Sequence, residues 1–314
     1  MSHRLSRAAC FMTLLTLTAC RDAESPTGLR TIRPRPIPMN ARVKDSVPDG
    51  TGIGTIATAN ALARTRYRAD YHDGYIKIGT SNVYLIWYGN WSGSPAAQQI
   101  LPELVASLGG SPYWRLSTLY PNGGGIRPSG GVVFSGEAFD VAYSHGAVLA
   151  AKDADDLMAQ TILGGQLPLD QYGIYVILAS ADVSTPGYAT SFCAFHRAVD
   201  VVGAQVAYAF IIDPTRAPTA CAPQMLGPNG TLGLDAMASL MTAELFDIVT
   251  DGYNLGGYYD RLGLEPASKC AWTYGTTYTA PNGAKANVKL GGRDYLLQQL
   301  WLPSKSSGVC GMHL

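Results

Sequence analysis

Residues 76–88 constrain the fold more than any other stretch of the chain. They read as a β-strand in which Val83, Leu85 and Trp87 face one way and Tyr84, Ile86 and Tyr88 the other. Both faces are apolar, so both must be covered, and the strand is expected at the centre of a sheet. The rest of the sequence supplies the cover. Ser94-Pro95 offers a cap residue and a proline at the first helical position, so a helix is expected from there to Leu108, bent at Pro102 and stopped by Gly109-Gly110. Further helices are expected over residues 153–163 and 235–249, and further strands over 113–120, 132–139, 173–180, 192–199, 204–213 and 295–301. Strands and helices interleave throughout. The expectation is an α/β fold, a mixed sheet with flanking helices, as a single domain over residues 67–314. That length is near the upper end for one core.

The N-terminal residues follow other rules. Residues 1–7 are basic, with Arg4 and Arg7, and residues 8–18 are apolar or hydroxylic. That run is about as long as a secretory signal core and too short to span a bilayer. It ends in Leu17-Thr18-Ala19-Cys20. Small residues before a cysteine resemble the bacterial lipobox, in which Cys20 is acylated and becomes the new N-terminus. Several acyl chains on one residue anchor stably where a single chain is marginal. Residues 1–20 are therefore read as a lipoprotein signal, and the chain is expected to be exported and lipid-anchored at the cell envelope, or extracellular. Residues 21–66 read as a Pro-rich tether, stiffened by Pro26, Pro34, Pro36, Pro38 and Pro48 and solvated by Arg30, Arg33 and Arg35. No later stretch reaches the roughly 20 apolar residues of a transmembrane helix.

Composition narrows the partners. Formal net charge is zero and charged residues make up 15% of the chain, against about 25% in ordinary soluble proteins. A nucleic-acid partner wants a basic stripe, so none is expected. Beyond the signal lie Cys193, Cys221, Cys270 and Cys310. An even number in an exported chain points to disulfides, and four cysteines allow three pairings. Neighbours in sequence would join Cys193 to Cys221 and Cys270 to Cys310.

Six segments in order resemble the phosphate-induced, Exordium-like family of secreted plant proteins: Asn82-Val-Tyr-Leu-Ile-Trp-Tyr-Gly-Asn-Trp-Ser92, Tyr113-Trp-Arg-Leu-Ser-Thr-Leu-Tyr120, Ala142-Tyr-Ser-His-Gly146, Gly173-Ile-Tyr-Val-Ile-Leu178, Phe192-Cys-Ala-Phe-His196 and Leu234-Asp-Ala-Met237. The resemblance runs from about residue 75 to Cys310. It implies an extracellular or cell-wall-associated protein, linked in plants to growth and cell expansion. It also supports the neighbour pairing of the four cysteines. The family commonly carries a His-Glu-Leu-x-Glu segment similar to the H-E-x-x-H helix of zinc peptidases, so the fold is also expected to be zinc-peptidase-like. Here that segment is Ala243-Glu244-Leu245-Phe246-Asp247, so alanine stands in the histidine position. Two carboxylates without the imidazole form a harder donor set that favours zinc less.

The residues of that helix speak for themselves as well. Met237, Leu240, Met241 and Ile248 form an apolar stripe at helical spacing, with Glu244 in its middle and Asp247 on its flank. A carboxylate on an apolar face must find a partner or a raised pKa. Glu244 is either a base or ligand in a site wall, or a buried acid bonded to backbone or to an arginine. Asp247, Glu265, His145 and His196 are the further candidate ligands, and zinc is the cofactor such a set would hold. Ser144-His145 cannot form a catalytic triad, because adjacent residues lack the geometry. Trp87, Tyr88, Trp91 and Tyr113 have the chemistry to stack on sugars, although aromatic residues in strands usually serve the core. Two functions of different class follow. The first is a non-catalytic cell-surface protein that binds a polysaccharide or an extracellular protein. The alternative is a metal-dependent hydrolase or peptidase relative acting through Glu244 and the degenerate helix.

Overall fold

A computed structural model describes residues 67–314 apart from Asn254, Leu255 and Ser306. The expected signal over 1–20, its Cys20 and the tether over 21–66 lie outside the described residues. The central sheet has five strands: β1 (Ser81–Tyr88), β2 (Val132–Asp140), β3 (Ile174–Ala179), β4 (Ala194–Val201) and β5 (Ala204–Ile212), in the order β2-β1-β3-β5-β4. Strands β2, β1, β3 and β5 run parallel, and β4 is an antiparallel edge paired to β5. Leu85 of β1 lies opposite Glu137 on one side and Val176 on the other.

The two faces of β1 enter two separate cores, as its alternation requires. Val83, Leu85 and Trp87 pack with Ile100, Leu104 and Leu108 of helix α1 (Ala97–Leu108) and with Leu240 and Phe246 of helix α3 (Leu232–Thr250). Tyr84, Ile86 and Tyr88 pack with Leu157, Met158 and Ile162 of helix α2 (Ala151–Leu163). Helix α3 is more enclosed than its stripe suggests. Every residue from Gly233 to Thr250 is buried, so Glu244 and Asp247 have no solvent to turn to.

Two expected strands are corrected. Residues 113–120 form a 3₁₀ helix, Trp114–Leu119. Tyr113, Trp114, Leu116, Ser117 and Tyr120 are buried, which is helical spacing, and the Ser117 and Thr118 hydroxyls donate back to the carbonyls of Trp114 and Arg115 at 2.8 Å. Residues 295–301 are not one strand. Arg293–Tyr295 and Leu300–Pro303 belong to separate hairpins. Between them the backbone is taken by side chains: the Gln298 N–H donates to Ser239 Oγ at 3.0 Å, and its carbonyl accepts from Tyr113 Oη at 2.8 Å. The α/β expectation holds. The described elements give no support to a zinc-peptidase-like fold.

Two disulfides are formed, Cys193–Cys221 and Cys270–Cys310, with Cα separations of 5.4 and 5.6 Å, ordinary for such bonds. The first ties the approach to β4 to the segment before α3. The second ties the end of a short helix α4 (Pro266–Lys269) to the C-terminal hairpin. Among the described residues no helix is long and apolar enough to cross a membrane.

Candidate functional site

The candidate residues from three distant segments meet in one place. On β4, Ala194 belongs to the core shared with α3 and Phe195 to the opposite core, so His196 shares the α3 side. There Glu244 projects from α3, and its Oε2 lies 2.8 Å from His196 Nδ1. Glu265, at the residue before α4, brings its Oε1 to 3.3 Å from His196 Nε2. One imidazole thus stands between two carboxylates, one on each ring nitrogen. Each of the three residues is no more than 3% exposed.

Asp247 has a different task. Its Oδ1 accepts the Ala267 N–H at 2.6 Å, and its Oδ2 accepts the Ser268 N–H at 3.1 Å and the Ser268 hydroxyl at 2.9 Å. These are first-turn donors of α4 that no carbonyl within the helix can satisfy. Asp247 is a helix cap delivered by another helix. Glu265, which stands in the cap position itself, turns to His196 and makes no capping bond.

The electrostatics follow from enclosure. Burial alone would lower the His196 pKa, but Glu265 and Glu244 outweigh it and hold the ring well above its ordinary range, as imidazolium. Burial raises Glu265 well above the carboxylate range, with Asp247 and Asp251 adding to the effect and His196 opposing it. Burial also pushes Asp247 up to about 7, against the pull of His196 and of its own hydrogen-bond donors. The cluster therefore keeps one proton on the ring and resists a full set of buried negative charges.

A zinc ion does not suit this arrangement. Glu244 and Glu265 occupy opposite nitrogens of one ring, so their oxygens do not converge on a common point, and Asp247 is committed to α4. Among the described residues no group of three or more His, Cys, Asp or Glu side chains is placed to hold a metal. A zinc site wants four ligands, three of them from protein even in an open catalytic site.

His145 is not part of this cluster. It sits in the turn after β2, with its Nδ1 2.8 Å from Ser144 Oγ and its N–H donating to Tyr88 Oη at 3.1 Å. Trp87, Tyr88, Trp91 and Tyr113 are all buried and cannot stack on a sugar. Sequence reasoning missed an open cleft of about 330 Å³ between the end of β2 and α2, which includes Asp140, Ser144, Gln160 and Gln166. The signal for it lies in Asp140 and Ser144, polar residues that follow on the expected strand over 132–139.

The phosphate-induced protein 1 conserved region matches residues 69–311. The chain is 31% identical to protein EXORDIUM-like 1 of Arabidopsis thaliana, over 76% of this chain and 88% of that protein. It is 27% identical to EXORDIUM-like 3 of the same plant, over 85% and 88%. It is 24% identical to PHOSPHATE-INDUCED 1 of Nicotiana tabacum, over 76% and 86%. No solved structure matches. With the six segments in order, both disulfides formed and the match spanning nearly every described residue, the chain belongs to the phosphate-induced, Exordium-like family.

Proposed function

We propose that this chain works outside the cytoplasm as a non-catalytic binding protein, held at the cell envelope by lipid on Cys20, and that its partner is a polysaccharide or another extracellular protein. The observation that carries the proposal is the sealing of the His196 cluster: among the described residues, the imidazole that stands directly between two carboxyl groups has no exposed face on which a substrate can land. General acid–base work needs the reacting group within hydrogen-bond reach of the catalytic one. The disulfides support the location, because such bonds persist in oxidising compartments. The residue types over 1–20 support the anchor.

The test incubates purified protein with isolated envelope material and follows both retention and chemistry. The expected result is co-sedimentation with no new reducing ends and no new amino termini. Release of either product, abolished in Glu244→Gln, moves the chain to the hydrolases. Failure to co-sediment removes the binding reading. The anchor is tested separately in a bacterial host. Wild-type protein is expected in the membrane fraction and Cys20→Ala in the soluble fraction, and a soluble wild type excludes lipidation.

A further inference from the structure

An open cleft that the buried cluster does not involve lies beside the carboxyl end of the edge strand β2. The chain passes from β1 to β2 on one side and returns past β1 to β3 on the other, so strand order reverses between β1 and β3. In open α/β sheets, ligands bind outside the carboxyl ends of the strands at such a reversal; in this chain the open cleft lies one strand over, beside the edge strand β2. Here those ends are drawn close. Gly89, just after β1, adopts φ 94°, and a Cβ there would lie 2.1 Å from Ser180 Oγ, just after β3. Only glycine allows that approach.

The turn after β2 is fixed from several directions. Tyr143 has φ 54°, an uncommon state for a non-glycine residue, held only where the surroundings over-determine it. Its hydroxyl donates to Asp182, which also accepts from Ser180 Oγ at 2.5 Å, and its ring packs edge-on to Tyr88 at 5.9 Å. Asp140 accepts from both the Ser144 hydroxyl and, at 3.2 Å, the Ser144 N–H. Beside this turn lies the cleft of about 330 Å³, within the range of about 300–1,000 Å³ for small-ligand sites.

The lining decides the ligand class. It contains no Lys, Arg or His, so an anionic ligand finds no counter-charge. The Ser144 and Thr161 hydroxyls already donate to Asp140 and to the Leu157 carbonyl and offer the cleft only acceptor oxygens, Asp140 brings acceptor oxygens, and Gln160 and Gln166 bring amides that both donate and accept. The two glutamines are exposed. Their side chains are left for solvent or a ligand. Phe139, Val141, Ala142 and Leu157 complete the lining with apolar surface. A carboxylate and two amides beside apolar surface, without a cation, match an uncharged molecule that presents hydroxyls and C–H faces together. We infer that the cleft between the end of β2 and α2 is a binding site for an uncharged, hydroxyl-rich ligand, a neutral saccharide. This rests on the binding reading above and names its site and ligand class.

The experiment titrates the purified full chain with neutral gluco-, manno- and galacto-hexaoses, and with oligogalacturonate as the anionic control. At least one neutral hexaose is expected to bind, with oligogalacturonate bound more weakly. Gln160→Ala/Gln166→Ala, which removes exposed groups without structural partners, should weaken binding about tenfold and leave the melting temperature unchanged. Asp140→Asn should also weaken it. Equal affinity in the double variant, or preference for the uronate, overturns this site while the wider binding reading stands on its own co-sedimentation result. Absence of binding to every neutral hexaose, in a protein that still co-sediments with envelope material, overturns the saccharide class and turns the search to a protein partner.

Discussion

His196 faces a carboxyl group on each ring nitrogen, and its loss leaves Glu244 and Glu265 buried without the partner that both face. Removing one member of a buried ionic group is costly, because the remaining charge stays desolvated and unpaired. His196→Ala is therefore expected to destabilise by about 3–5 kcal/mol. Glu244→Gln keeps the shape and a hydrogen-bond acceptor for the ring, and Glu265 still faces it, so the loss should be smaller, about 1–3 kcal/mol. Urea unfolding of the two variants checks the order. A His196→Ala protein within 1 kcal/mol of wild type would mean that the cluster does not hold the charge assigned to it. The sequence alone points to Glu244, because a carboxylate in an apolar stripe stands out. It cannot point to the partner, which lies 48 residues away on an edge strand and replaces the backbone or arginine otherwise expected.

At the scale of elements, the entry to α3 depends on a missing side chain. A Cβ on Gly233 would lie 2.2 Å from Asp213 Oδ1 and 2.6 Å from Thr215 Oγ1. Asp213 cannot swing away freely, since Oδ1 already accepts the Thr215 N–H at 2.9 Å. Alanine normally favours a helix over glycine by up to about 1 kcal/mol. Here overpacking should reverse the sign and cost about 1–3 kcal/mol, so thermal melting of Gly233→Ala separates the two effects, and a stabilised variant refutes the close approach. Elements differ in how well sequence exposes them. Strand β1 is legible because a period of two and two apolar faces leave one solution. The 3₁₀ helix at Trp114–Leu119 reads as strand because aromatic residues suggest one, while its burial follows helical spacing and its hydroxyls bond their own backbone. The break within 295–301 is not local at all. It depends on Ser239, in α3, and Tyr113 reaching one short backbone segment. The cap that Asp247 supplies to α4 is equally long-range, and sequence reasoning takes the same residue for a ligand.

For the whole molecule, the buried acids on and around α3 set how stability responds to pH. Asp247 and Glu265 keep protons in the native state that the unfolded chain gives up above about pH 4, and His196 keeps one that the unfolded chain gives up above about pH 6.5. Across both intervals the native state binds more protons than the unfolded state. Stability must then fall as pH rises. The decline should begin near pH 4, include the Asp247 step that ends at about 7, and continue as His196 approaches its raised value. Lys77 bounds the window: burial lowers it to about 8, so above that pH the native state holds fewer protons there and the slope is opposed. Chemical denaturation midpoints measured from pH 4.5 to 8 should therefore decrease steadily. Glu265→Gln replaces a raised acid by a neutral amide that does not titrate, and its profile should be flatter than that of the wild type. Both disulfides stay closed in this comparison, because each contributes on the order of 3–4 kcal/mol through loop closure and their reduction would mask the trend. A midpoint that rises between pH 5 and 8 would show that Asp247 and Glu265 are ionised in the native state over that range, and the picture of two proton-retaining acids beside an imidazolium would have to be abandoned.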